Sequence, residues 1–170
     1  MPSSQGSRVV NEGENLAYRI REVFHSGKWI ANTNYQLLLA ETTWEQAVFQ
    51  LEGYSNSIAK LTYHLNYYLS GLNQAFETGR LNIQDKHSFD MPEVSNEDQW
   101  KALKKETLHS AEIFAQSVSL MSSVELRQPF IVEKYGTMQR NVEGVIEHAY
   151  YHLGQIAILK KLISAKAESP

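Results

Sequence analysis

The sequence contains no cysteine, and this absence removes a whole group of reactions from consideration. Disulfides, thiolate metal sites and a cysteine nucleophile carried by the protein are all excluded. Metal ligands, if the protein has them, must be histidine, aspartate or glutamate. Any reactive sulfur would have to come from a small soluble cosubstrate.

Long apolar runs and an excess of basic charge are also missing. No stretch approaches the ~18 apolar residues that span a bilayer, and Met1 to Ser7 carries neither a basic nor an apolar signal segment. We therefore expect a cytoplasmic protein with no membrane partner.

Lys and Arg total 16 against 19 Asp and Glu, a formal charge of -3. Because no basic stripe is available to neutralise phosphates, we expect no nucleic-acid partner.

Proline is scarce, with four in 170 residues, whereas 42% of the residues are hydrophobic. This composition is typical of a soluble globular domain, and the length is sufficient for one hydrophobic core. We expect a single domain over residues 1–170, with flexible ends at 1–8 and 165–170.

Apolar residues recur at helical spacing in four long stretches, which predicts an all-α fold. The stretches run from Asn11 to about Phe24, from Ser57 to Glu77, from Ser95 to about Met121, and from Asn141 to about Ile163. Ser95 followed by Asp98 approximates a capping box, and Asn141 is the predicted N-cap of the last helix.

The connections between these helices differ in kind. A short extra helix is expected near the N-terminus, around Leu37 to Ala47, and Thr42-Thr43 marks a point where it could be interrupted. Residues 80–94 lack periodicity and are predicted to form a long crossover along the bundle. Phe130 to Met138 is predicted to be an extended loop or a small hairpin.

His148 and His152 are four residues apart, which places both imidazoles on one face of the last helix. They lie within its apolar stripe, so each buried ring needs a hydrogen-bond partner or a metal ion. Such a pair can chelate one ion, although backbone carbonyls or tyrosine hydroxyls could satisfy it as well.

His64 lies halfway along the second long helix and can face the same interior. Three neutral imidazole nitrogens suit Zn, Ni or Fe, and they leave positions open for water or substrate. We therefore predict a metal site formed by His64, His148 and His152. The remaining histidines, His25, His87 and His109, are expected to be surface or incidental residues.

Two motifs resemble the DinB-like family of metal-binding helical bundles. The segment from Ser57-Ile58 to His64 is similar to the family's approach to its first metal histidine. The run His148-Ala149-Tyr150-Tyr151-His152-Leu153-Gly154-Gln155-Ile156 is similar to its closing His-x-x-x-His-x-Gly-Gln-Ile motif. The resemblance implies an up-up-down-down four-helix bundle, a three-histidine metal centre open to a cleft, and a homodimer.

The resemblance also implies a class of reaction. Some relatives are thiol-dependent S-transferases or isomerases that use a low-molecular-weight thiol such as bacillithiol or mycothiol, and others have been regarded as metal-dependent hydrolases. We expect a divalent ion, Zn or Ni ahead of Fe or Mn, that activates a small thiol for attack on a small-molecule substrate. The alternatives are a metal-dependent hydrolase and a non-catalytic metal-binding stress-response module.

Residues beside the predicted ligands are candidates for supporting roles. Gln155 could orient a ligand or a metal-bound water, and Glu147 could be a general base. One tyrosine near the histidines could present a hydroxyl to substrate, and the sequence does not select which; the candidates are Tyr151 and also Tyr63, Tyr67, Tyr68 and Tyr150. Each also has an ordinary explanation, as a solvated side chain or as packing. A close approach of another helix would explain Gly154, since a glycine inside a helix costs about 1 kcal/mol relative to alanine.

Overall fold

The computed structural model describes residues 11–167, and within them it is all-helical with no strand. The helices are α1 (Glu12–Arg21), α2 (Tyr35–Ala40), α3 (Trp44–Val48), α4 (Ile58–Thr78), α5 (Glu97–Ser119), α6 (Ser123–Leu126) and α7 (Met138–Ala167). A π-helical turn at Glu22–Ser26 extends α1, and 3-10 turns lie at Asp85–His87 and Glu133–Tyr135. None of these helices is long and apolar enough to cross a bilayer.

The predicted flexible ends lie only partly within the described residues. Residues 165–167 continue α7 as its last turn. The rest of the predicted flexible ends, residues 1–8 and 168–170, lies outside the described residues.

Both ends of α4 agree with the sequence prediction. The Ser57 side chain accepts a hydrogen bond from the backbone N–H of Lys60 and so caps the first turn. Gly79 ends the helix with φ 67°, a left-handed conformation that glycine adopts without steric cost. These caps fix the start and end of the helix that carries His64.

Two predicted N-caps are wrong. Asn96, and not Ser95, caps α5 by accepting from the N–H of Gln99. The last helix begins at Met138, with the Thr137 hydroxyl accepting from the N–H of Arg140. Asn141 lies inside the first turns and donates to the carbonyl of Thr137 instead. Several polar residues stand before each helix, and only the local backbone geometry selects the one that caps it.

The N-terminal connection contains two short helices, α2 and α3, where one interruptible helix was expected. Thr43 separates them and caps α3 in a capping box with Gln46. The Tyr35 ring is fully buried, and its hydroxyl donates to the carbonyl oxygen of Ala149 at 2.7 Å. This connection therefore packs beneath the part of α7 that carries the predicted histidines.

Helix α1 runs antiparallel to α5. The side chain of Asn11, before α1, donates to the carbonyl of Met121, just beyond the end of α5. Ten residues further along α1, Arg21 forms a bidentate pair with Glu112. The residue numbers rise along one helix as they fall along the other.

Helices α4 and α5 run parallel. Asn66 donates to Glu106 at 3.0 Å, and the rings of Phe76 and Phe114 stack 5.5 Å apart. Helix α7 runs antiparallel to α4: Leu61 lines one pocket with Leu159, His64 contacts His148 and His152, and Leu72 lines a cavity with Asn141. The residue numbers fall along α7 as they rise along α4.

The four long helices therefore run up, down, down, up along the chain, and the predicted up-up-down-down order is wrong. Helix α1 packs against α5 and α7, and α4 packs against the same two helices, so α1 and α4 are diagonal. Only the parallel pair α4 and α5 requires a connection as long as the bundle. Residues 80–96, called here the crossover segment, make this connection, as predicted.

The core lies between these four helices. Its largest fully buried side chains include Trp100, Tyr35, Phe24 and Phe114. The loop before α7 is closed by one β-bridge between Pro129 and Thr137, which agrees with the predicted small hairpin.

Candidate metal centre

The structure brings the three predicted histidines together at the interface of α4 and α7. His148 and His152 lie one turn apart on α7, with their Nε2 atoms separated by 2.8 Å. His64 reaches across from α4, and its Nε2 is 3.1 Å from the Nε2 of His148. His64 and His152 are buried and His148 is partly buried, and the three are close enough to hold one metal ion.

Hydrogen bonds alone do not satisfy this cluster. The outward nitrogen of an imidazole has either one hydrogen or one lone pair, so it takes part in one well-directed hydrogen bond. The Nε2 of His148, however, is within hydrogen-bond distance of two other Nε2 atoms. One ion that accepts three lone pairs satisfies all three rings at once. A tetrahedral zinc ion separates its nitrogen ligands by roughly 3.3 Å. The two Nε2 separations of 2.8 Å and 3.1 Å are close to that spacing, and all three histidines offer ligand atoms within 4.8 Å of one another.

A hydrogen bond fixes the tautomer of His152. Its Nδ1 lies 2.6 Å from the amide oxygen Oε1 of Gln155, which can only accept. The Nδ1 therefore carries the hydrogen, and Nε2 presents a lone pair to the other two histidines. Metal-ligating histidines are commonly held by such a partner. Gln155, one of the candidates for a supporting role, lies where it can orient a ligand.

The ring of His64 is held by packing. It stacks on Phe89 of the crossover segment at 4.1 Å between ring centroids and 12° between planes, and the edge of Tyr68 meets it at 5.0 Å. Its Nδ1 is buried and makes no hydrogen bond of ordinary geometry, although the backbone of Ser88 lies beside it. The position of the His64 ring thus depends on the crossover segment.

All three imidazoles are held in their neutral form. Burial lowers the pKa of His64 to about 4, with a smaller contribution from His152, against the opposing effects of Ser88 and Asp85. Burial, followed by the two neighbouring histidines, also lowers the pKa of His148 to about 4. The pKa of His152 is lowered by burial and partly restored by its bond to Gln155. Neutral imidazole is the form that binds metal.

The crossover segment is fastened to α4 by two adjacent tyrosines. The Tyr68 hydroxyl donates to Asp85 at 2.8 Å, and the Tyr67 hydroxyl donates to the carbonyl of Gln84 at 3.0 Å. These bonds bring Phe89 onto His64. Sequence reasoning missed Asp85 and Phe89, since neither lies in a periodic segment. The one available indication was the position of Tyr68, one turn after His64 on the same face.

Two of the other candidates are not at the centre. Glu147 is exposed and pairs with Arg140 at 3.1 Å on the surface, and it forms no hydrogen bond to the histidines. Tyr151 is 63% exposed, and its ring meets that of His152 in an edge arrangement with 4.9 Å between ring centroids. Gly154 is also exposed, and a Cβ added there would meet no atom within 4 Å in the described residues, so the predicted close helix approach is wrong.

The other histidines lie outside the cluster. His87 is exposed and pairs with Asp90, and His109 is exposed on α5, as predicted. His25 is partly buried between Gln36 and Glu112.

A cavity of about 480 Å³ adjoins the centre. It lies between α4, α7, the crossover segment and the loop before α7, and His148, Tyr68 and Asp85 are among its walls. His148 therefore faces a space large enough for a small molecule.

No protein-family model, curated protein or solved structure matches this chain.

Proposed function

We propose that this protein binds one divalent metal ion through His64, His148 and His152, and that Zn or Ni is the physiological ion ahead of Fe or Mn. The observation that carries the proposal is the contact of one imidazole nitrogen, His148 Nε2, with two others. The neutral state of the rings and the Gln155 hydrogen bond support it. Uncharged nitrogen ligands at this number and spacing suit these borderline ions.

We propose further that the centre is catalytic. Within residues 11–167, no fourth histidine, aspartate or glutamate joins the group. Structural zinc sites are closed by four protein ligands, whereas catalytic sites keep a position open. The cavity that His148 lines would give a small molecule access to such a position. These two observations favour an enzyme over a non-catalytic metal-binding stress-response module.

The reaction that we propose is the transfer or rearrangement of a low-molecular-weight thiol, in a protein of the DinB-like type. A bound divalent ion would supply Lewis acidity that favours the thiolate form of the cosubstrate. The chain itself contains no sulfur nucleophile, since it has no cysteine. Its residues would hold the thiol and a small electrophile together between α4 and α7, which raises their effective concentration.

Hydrolysis is the second candidate, and one observation favours it. Asp85 lines the cavity with His148 and accepts the hydroxyl of Tyr68. This carboxylate could accept a proton from an attacking water, a role that Glu147 cannot fill from its surface pair with Arg140.

Two further properties belong to the proposal. We propose a homodimer, on the family resemblance, and a cytoplasmic location. Light scattering across a wide concentration range tests the dimer, and a constant monomer mass would contradict it.

Elemental analysis and calorimetric titration of Zn test the metal site. We expect about one ion per chain in the wild type, loss of binding in His148→Ala and His152→Ala, and weakened or lost binding in His64→Ala. His109→Ala is the matched control, because His109 is an exposed histidine of α5 outside the group. Stoichiometric zinc retained by a His148→Ala, His152→Ala double variant would overturn the proposal.

A further inference from the structure

The cavity beside the metal centre is apolar along most of its length. Leucine, isoleucine, valine and phenylalanine side chains from five parts of the chain line it. A small polar molecule gains little binding free energy from such walls, whereas a hydrocarbon group is stabilised because its apolar surface is removed from water.

Polar groups lie mainly at the two ends of this cavity. Along α7 the lining extends from Arg140 to His148, about 12 Å at the helical rise of ~1.5 Å per residue. Arg140 is already paired with Glu147, and Asn141 donates to backbone carbonyls. The other end holds His148, together with Tyr68 and Asp85. A ligand that fills the cavity would therefore meet polar groups beside the predicted centre at one end, with apolar walls behind them.

Gly144 keeps part of this space open. It lies in the interior of α7, four residues before His148 on the same face, and it lines the cavity. A Cβ added there would meet only Nη1 of Arg140, at 3.7 Å, which is ordinary van der Waals distance. Helix packing thus does not require a glycine at this position. A glycine inside a helix also lowers the stability of that helix relative to alanine. The volume that a side chain would occupy belongs to the cavity.

We infer that this cavity binds the apolar body of the substrate, whose reactive polar head lies at the histidine centre, and that Gly144 sets the size of body that fits. The inference deepens the proposed function and depends on it for the position of the head group. The substrate class is a small molecule with a hydrocarbon chain or ring. Gly144 is then a specificity-determining residue.

A homologous series of n-alkyl hydroxamates, from acetyl to octanoyl, tests the inference on the Co(II)-loaded protein. The hydroxamate binds the ion and changes its visible absorption spectrum, which reports the affinity. We expect the affinity to rise about fourfold for each added methylene until the cavity is full, the factor that corresponds to ~0.8 kcal/mol per buried CH₂. An affinity independent of chain length in the wild type would overturn the inference and leave the metal site intact.

Three variants locate the effect. Gly144→Leu should abolish the gain for the longer chains, and Gly144→Ala should reduce it, both with unchanged affinity for the acetyl compound. Gly154→Leu is the matched control, since Gly154 is a glycine of the same helix that is exposed and outside the cavity lining. Equal chain-length dependence in Gly144→Leu and Gly154→Leu, both folded by circular dichroism, would refute the role of Gly144.

A metal-free experiment separates this inference from the proposed function. If the protein fails to bind Co(II), the proposed function fails. Displacement of 1-anilinonaphthalene-8-sulfonate by n-alkanols then tests whether the cavity binds apolar groups. Stronger displacement by longer alkanols in the wild type and in Gly154→Leu, but not in Gly144→Leu, would support an apolar site. The same displacement in all three proteins would overturn it.

Discussion

Replacing Gln155 by alanine tests how the centre is oriented. This substitution removes the oxygen that accepts from His152 Nδ1 at 2.6 Å. His152 then loses the bond that fixes its tautomer, and its buried Nδ1–H loses an acceptor. Removing a partner of this kind costs about 10–100-fold in metal affinity. We therefore expect zinc to bind Gln155→Ala more weakly by about that factor, ~1.4–2.7 kcal/mol.

Competition against a chromophoric zinc chelator measures this change in the dissociation constant. Gln155→Glu is the matched control, because its carboxylate still accepts from Nδ1 and adds a negative charge, so affinity should be kept or increased. Denaturant unfolding of each metal-free variant checks that the fold is intact. Zinc affinity in Gln155→Ala equal to that of the wild type would refute the orienting role.

Three other predictions concern stability. The metal-free protein should lose stability as the pH falls from about 6.5 towards 4, because His64 and His148 have folded pKa values of about 4 and the unfolded chain takes up protons first; an unfolding free energy that stays constant between pH 7 and 5 would contradict this. Tyr35→Phe removes the buried bond to Ala149 and should lower the free energy of unfolding by about 0.5–1.5 kcal/mol in urea titrations, whereas no change would show that the bond is energetically neutral. Gly154→Ala should raise the unfolding free energy by about 0.5–1 kcal/mol, since its site is open; destabilisation would point to a contact with another chain.

The sequence was sufficient to predict the four long helices and the histidine cluster. Helical periodicity places His148 and His152 on one face and puts His64 on the buried side of another helix. Both inferences use only local geometry, which is why they survive comparison with the structure. The bounds of α4 agree with the predicted stretch from Ser57 to Glu77 for the same reason.

Helix direction and the path of the crossover segment were not predictable in this way. Periodicity identifies the buried face of a helix but not whether its neighbour runs parallel to it. The stacking of Phe89 on His64 depends on hydrogen bonds from Tyr67 and Tyr68 to an aperiodic segment. Gly154 shows a further limit, since a glycine inside a helix is compatible with either a close neighbour or open solvent, and only the structure distinguishes them.

X-ray absorption spectroscopy of the zinc-loaded wild-type protein tests the central claim most directly, because it counts the imidazole ligands of the bound ion. Zinc held by His64, His148 and His152 should show three imidazole nitrogens at about 2.0–2.1 Å, completed by one or two oxygen donors. A spectrum with no imidazole scattering, or with one imidazole and a shell of oxygens, would contradict the three-histidine centre.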